Sequence, residues 1–129
     1  MNAPHIPVSW GELIDKITIL EIKCARLQST AALQNVRKEL DLLTSKISDD
    51  LGAREDIRRL KNNLLEVNNA LWGIEDRIRE KEARKEFDDV FIELARAVYK
   101  NNDKRARIKR EINIMLASEL IEEKGYSSY

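Results

Sequence analysis

The residues best suited to chemistry gather between Lys100 and Arg110, where KNNDKRARIKR sets six bases and one acid beside two asparagine amides. Such a group could hold an anion, because guanidinium and ammonium groups attract its charge and amides fix its orientation. Arg96, Tyr99, Asn101, Asn102, Arg105 and Lys109 therefore form the candidate ligand-binding set, with the three cations binding and Tyr99 and the amides orienting. A plainer role competes with this one. Asn101 and Arg105 continue the spacing of Leu94, Val98, Ile108 and Ile112, so they interrupt an otherwise apolar seam. If the two long helices meet in a hairpin near Lys85, Arg105 falls opposite Glu66 and Asn101 opposite Ala70 and its neighbours Asn68 and Asn69, which makes a buried polar layer that fixes register. Alternatively, Asn102 and Asp103 cap a new helix after a break.

Other chemistries have less to stand on. The basic stretch could meet phosphates, but no aromatic residue lies among its bases, and acids such as Glu66 and Glu75 favour a salt-bridged face. No nucleic-acid partner is expected. Carboxylates pair at Glu12/Asp15, at Asp88/Asp89 and among Glu119, Glu122 and Glu123, yet a magnesium site needs two such pairs facing each other, and Glu12 already has a capping role. His5 is the only histidine and lies in the N-terminal arm, which removes His-ligated metals and His-based triads. Cys24 is the only cysteine and falls on an apolar stripe, so it reads as a packing residue, with neither a disulfide framework nor a thiolate cluster. No metal or cofactor is expected, no catalytic residue is assigned, and enzymatic activity is left open.

The elements that must position these residues are helices. Gly (4) and Pro (2) are scarce in 129 residues, and a chain of this length suits a single domain with one core. Lys+Arg and Asp+Glu both total 23, so no net field draws the chain to nucleic acid or to an anionic membrane. The first residues lack a basic-then-apolar leader and no long apolar run follows, so a cytoplasmic protein without a membrane span is expected.

Ser9 and Glu12 form a capping box, with Val8 set to staple on Leu13, and the stripe Trp10, Leu13, Ile14, Ile17, Leu20, Cys24, Leu27 carries a first helix to about Gln28. A second stripe, Leu33, Val36, Leu40, Leu43, Ile47, is offset in phase, so a break is expected near Ser29, although one bent helix over 10–47 would also satisfy the pattern. The cluster Ser48 to Gly52 reads as a turn. Ile57, Leu60, Leu64, Val67, Leu71, Ile74 and Ile78 alternate by three and four, predicting a helix from Arg54 to Ala83 of about 45 Å. Asp88 or Glu86 starts a last helix reaching Ser118 or beyond. Trp10, Trp72, Phe87, Phe91 and Tyr99 lie on or beside the stripes as core, with Trp10 meeting Phe87 and Phe91 at one end. The expected fold is all-α, an antiparallel bundle of three to four long amphipathic helices with coiled-coil-like packing. Residues 1–8 form an extended arm, and 119–129 a frayed or docked tail. Stripes this rich in Leu and Ile exceed what a thin bundle buries alone, which favours an interaction or scaffold protein that self-associates as a dimer or takes a protein partner. An anion- or metabolite-binding protein built on the last helix is the alternative.

Three segments, HIPVSWGELIDKITILEIK at 5–23, VNNALWGIEDRIR at 67–79 and FDDVFIELARAVYKNNDKRARIKREIN at 87–113, together resemble a family of small bacterial all-helical proteins of unknown function. The resemblance spans nearly the whole chain and implies a helical bacterial protein, with no activity or site residue to carry over. In architecture alone, the chain is similar to the helical chorismate mutases, in which Arg and Lys hold a dicarboxylate, a role that Arg96, Arg105 and Lys109 would take here.

Overall fold

A computed structural model describes all 129 residues, and every regular element in it is a helix. Helix α1 (Trp10–Arg26) begins where Ser9 accepts the Glu12 amide on its hydroxyl at 3.1 Å. Helix α2 (Thr30–Thr44) begins at Ser29, whose hydroxyl accepts the Ala32 amide at 3.3 Å, so the chain breaks where the phase of the stripe changes and the single bent helix is excluded. The turn-rich cluster after Ser48 winds into a short helix, α3 (Asp49–Ala53), because the Ser48 hydroxyl again caps the amide three residues on. Helix α4 (Glu55–Ala83) follows with Glu55 and Asp56 in its first turn, where the helix dipole favours acids. Asp88 caps α5 (Asp89–Met115) through the Phe91 amide at 3.0 Å.

The two long helices end alike. Lys85 (φ 57°) and Ala117 (φ 48°) are left-handed, and the residue after each donates its amide five residues back, Glu86 to Lys81 at 3.0 Å and Ser118 to Asn113 at 2.7 Å. This terminal turn satisfies carbonyls that would otherwise be orphaned. It also stops α5 at Met115, short of the expected Ser118.

Helices α4 and α5 form an antiparallel hairpin, pinned near its loop by Lys81–Asp88 at 2.7 Å and near its open end by Arg59–Glu111 at 3.8 Å. Helix α1 lies against both and runs opposite to α5, since Gly11, Glu12 and Asp15 meet Asn113, Lys109 and Arg105 in turn. Helix α2 packs on α1 alone, and α3 on α4 alone. The first helix is thus the buried centre, covered by α2 on one side and by the hairpin on the other.

The core sits where α1 crosses the hairpin, with Ile14, Ile57, Leu60, Leu64, Val67, Ile108 and Ile112 closed over by Trp10, Leu71, Met115 and Leu116. Beyond it the hairpin runs on as two helices only, and from Asn69 to Arg107 Leu94 is the one buried residue. Phe87 and Tyr99 are therefore exposed, not core as their spacing predicted. Trp10 packs near the C-terminal end of α5, whereas Phe87 and Phe91 meet each other edge to face at 5.2 Å at its start, so the three do not gather at one end. No helix is long and apolar enough to cross a membrane.

Candidate functional site

A second stripe on α1, Gly11, Asp15, Thr18 and Ile22, is spaced by four, three and four residues, and all four are buried. It faces α4 and α5 and carries the polar centre of the molecule. Asp15, 1% exposed, takes both arms of Arg105, Nε at 2.9 Å and Nη2 at 2.5 Å. From α4 the Asn68 amide donates to Asp15 Oδ1 and to Thr18 Oγ1, both at 2.9 Å, while the Thr18 hydroxyl donates to the Asp15 carbonyl at 2.7 Å. No buried side-chain polar atom is left without a partner. That completeness is what makes such a network tolerable in a medium where an unpaired charge is costly.

The buried polar layer thus exists, but with another acid. Glu66 is exposed, and Arg105 turns to Asp15. The hairpin register expected from the sequence was close, yet on a helix one residue is a rotation of about 100°, so Glu66 points away from the seam its neighbours Leu64 and Val67 line. Asn102 and Asp103 cap nothing, because α5 runs unbroken through them.

One turn on, Lys109 is 8% exposed and its ammonium lies 2.7 Å from Glu12 and 3.0 Å from Glu122. Glu12 therefore leaves the reciprocal half of its expected capping box and serves as a counter-ion across the helix pair. The amides of the first turn of α1 are taken as well: Trp10 donates to the Ser118 hydroxyl at 3.3 Å, Gly11 to Asn113 Oδ1 at 2.7 Å and Glu12 to Ser9. The backbones approach so closely that a Cβ at Gly11 would stand 2.4 Å from the Lys109 carbonyl oxygen. Only glycine fits there.

Outside this centre, a groove of about 1150 Å³ opens along α5. Tyr99, Asn102, Asp103, Arg105 and Lys109 form its floor, Glu12 one side, and Glu122, Lys124, Tyr126 and Tyr129 from the C-terminal segment the other. Tyr129 donates its hydroxyl to Asp103 at 2.7 Å, and its ring meets Tyr99 at 4.8 Å. Of the six residues selected from the sequence, Tyr99, Asn102, Arg105 and Lys109 come together here. Arg96 does not: it is exposed and bonded to Glu93 at 3.3 Å. Asn101 spends its amide on the Ala97 carbonyl of its own helix at 2.8 Å. Sequence reasoning named Asp15 and Glu122 only as paired carboxylates and Asn68 only as a polar neighbour in the seam, and it did not assign them, Thr18 or the tail tyrosines to this site. The spacing of the second α1 stripe could have found Asp15 and Thr18, whereas nothing local announces that Glu122 returns to Lys109.

Four groups of the groove are shifted by their partners. Arg105 is held above its ordinary value by its hydrogen bonds to Asp15. Burial pulls the Lys109 ammonium down, but the hydrogen bonds it donates to Glu12 and Glu122 outweigh it and the net shift is upward. Glu122 falls to about 2, first through Lys124 and then through Lys109. The Tyr129 phenol is raised by its bond to Asp103. All four shifts move away from neutrality, the opposite of what proton transfer at neutral pH requires. Nowhere do three carboxylate, thiol or imidazole side chains converge as metal ligands, and Glu12 and Glu122 close instead around an ammonium.

Residues 5–129 match the model of a family described as a family of unknown function (DUF6165). No curated protein and no solved structure matches the chain.

Proposed function

Because the chain belongs to this family of unknown function, its role has to be read from its own groove, and we propose that it is a non-catalytic binding protein that takes a small anionic molecule beside Lys109 and Arg105. The observation that carries this reading is Lys109: a nearly buried ammonium on the floor of an open groove, with a helix-borne carboxylate on one side and a carboxylate from an irregular segment on the other. Lysine is almost never buried unless it is paired, and here one of its two partners comes from a segment outside any helix. Tyr99 adds a flat, partly apolar surface with a polar tip and Asn102 adds an amide, groups that orient a ligand as well as attract it. Charges locked far from neutral pH favour binding over acid–base catalysis.

A thermal-shift titration with glutarate, inorganic phosphate and 3-phenylpropionate tests it. A ligand of the folded state raises the midpoint progressively with concentration, by about 2.7 kcal/mol of stability at 100 times Kd. Lys109→Met should abolish that rise. No stabilisation by any of the three up to about 10 mM would defeat the reading.

A second reading, self-association, is favoured by a different observation. The outer half of the α4–α5 hairpin has no third layer, and Phe87, Val90 and Ile92 stand 55%, 44% and 48% exposed on it. A second copy packed there completes a four-helix arrangement of the kind two-helix arms ordinarily need.

A further inference from the structure

Residues 119–129 wall the groove without making one backbone hydrogen bond, and every one of them is exposed, Leu120 and Ile121 included at 41% and 43%. Apolar burial therefore contributes little to holding the segment down. Side chains do it: Glu122 on Lys109 at 3.0 Å, Glu123 on Arg110 at 3.1 Å, and Tyr129 on Asp103 and Tyr99. The Glu123–Arg110 pair is solvent-exposed and adds little. Glu122 is the one tether that reaches a buried charge.

Its position on that charge is supernumerary. Lys109 keeps Glu12 at 2.7 Å from α1, and Arg105 keeps Asp15, so departure of Glu122 leaves no buried ion unpaired. Glu122 in turn leaves with its own counter-ion, Lys124, at 2.7 Å within the same segment. The segment can lift away without the penalty that breaking a buried pair normally carries.

Resting on the assignment of the groove as a binding site, we infer that Glu122 is a tethered stand-in for the ligand: in the free protein the segment 119–129 closes one side of the groove and its Glu122 carboxylate sits on Lys109, and a small molecule presenting a carboxylate on a flexible carbon chain takes that carboxylate's place and releases the segment. The tethered carboxylate competes at the high local concentration a short linker confers, and it lowers the apparent affinity for the external one by the fraction of molecules that are open.

Titration calorimetry of the full chain with glutarate tests this, using Glu122→Gln, which removes the charge and keeps the shape, and Tyr129→Phe, which loosens the far end. Glu122→Gln should bind glutarate about tenfold more tightly than the unaltered chain, and Tyr129→Phe should shift in the same direction by a smaller factor. In the unaltered chain, glutarate should accelerate tryptic cleavage after Lys124. If the chain binds glutarate but Glu122→Gln binds it no tighter, or if glutarate slows that cleavage, the segment belongs to the bound state and the stand-in idea falls while the groove remains a binding site. Binding of phosphate without glutarate keeps an anion site and removes the carboxylate stand-in. Binding of neither probe by either form overturns both.

Discussion

At the residue scale, Asp15 decides most. It is the only acid with a fully enclosed side chain, and Arg105 and Asn68 bring their donors to it from two different helices. Removing Arg105 alone, as in Arg105→Leu, leaves that carboxylate buried with one side-chain donor and should cost about 3 to 5 kcal/mol in urea unfolding. Asp15→Leu with Arg105→Leu should cost clearly less than the sum of the two single changes, and the cycle measures the coupling. Glu66→Ala is the control: on an exposed residue it should change stability by less than about 0.5 kcal/mol. A loss comparable to that of Arg105→Leu would restore the hairpin pairing that the spacing first indicated. Gly11 offers an independent probe of the same crossing. Gly11→Ala puts a methyl into the Lys109 carbonyl, so α1 and α5 must separate, and about 1 to 3 kcal/mol of destabilisation is expected even though alanine is the better helix former. Tighter folding of Gly11→Ala would mean the helices stand further apart than described.

At the element scale, each helix starts where a short polar side chain could accept an amide three residues on, except α4, whose Arg54 makes no side-chain cap. The starts of α1 and α2 were legible because capping is local chemistry, that of α5 as a choice between Asp88 and Glu86, whereas Ser48 was read as opening a turn. The ends were less so, since the left-handed residues at Lys85 and Ala117 are not the glycine or asparagine that usually signals them. The C-terminal segment was legible only as a choice between frayed and docked, and its docking depends on charges elsewhere. Glu122 titrates at about 2 in the folded chain against an ordinary 4.5, so its depressed value makes it a source of stability that is fully present above about pH 4.5 and is lost as pH falls toward 2. Its side chain is 36% exposed, so solvent screens much of that contribution. The stability of the unaltered chain should therefore fall more steeply between pH 5 and 2 than that of Glu122→Gln, whose curve lacks this one group. Parallel acid limbs would show that the Lys109–Glu122 contact contributes nothing to folding.

At the scale of the whole molecule, the outer hairpin makes its own demand. Phe87, Val90 and Ile92 face water on an arm two helices thick, while equal numbers of acids and bases give copies of the chain no net repulsion. If a second copy covers this arm, sedimentation should show a concentration-dependent dimer, and Phe87→Glu with Ile92→Glu should return it to monomer without loss of helicity. A monomer at all micromolar concentrations would remove the second reading and leave the groove untouched. The repeat of apolar residues every three or four positions determined by itself that this protein is helical, because that period matches a helix, while capping chemistry indicated a break near Ser29 and a restart at Asp88 or Glu86 without excluding one bent helix over 10–47. Composition likewise left one histidine and one cysteine, too few for a His-ligated metal site, a thiolate cluster or an intrachain disulfide. Only the tertiary structure decided which helix lies in the middle and which acid meets Arg105. The reason is physical: a periodic stripe says that a face is covered but not by what, and three helices crossing at one level bring Asp15, Asn68 and Arg105 together from positions 53 and 90 residues apart in the chain. The pairing of Glu122 with Lys109 is of the same kind, a long-range charge contact that no local spacing encodes.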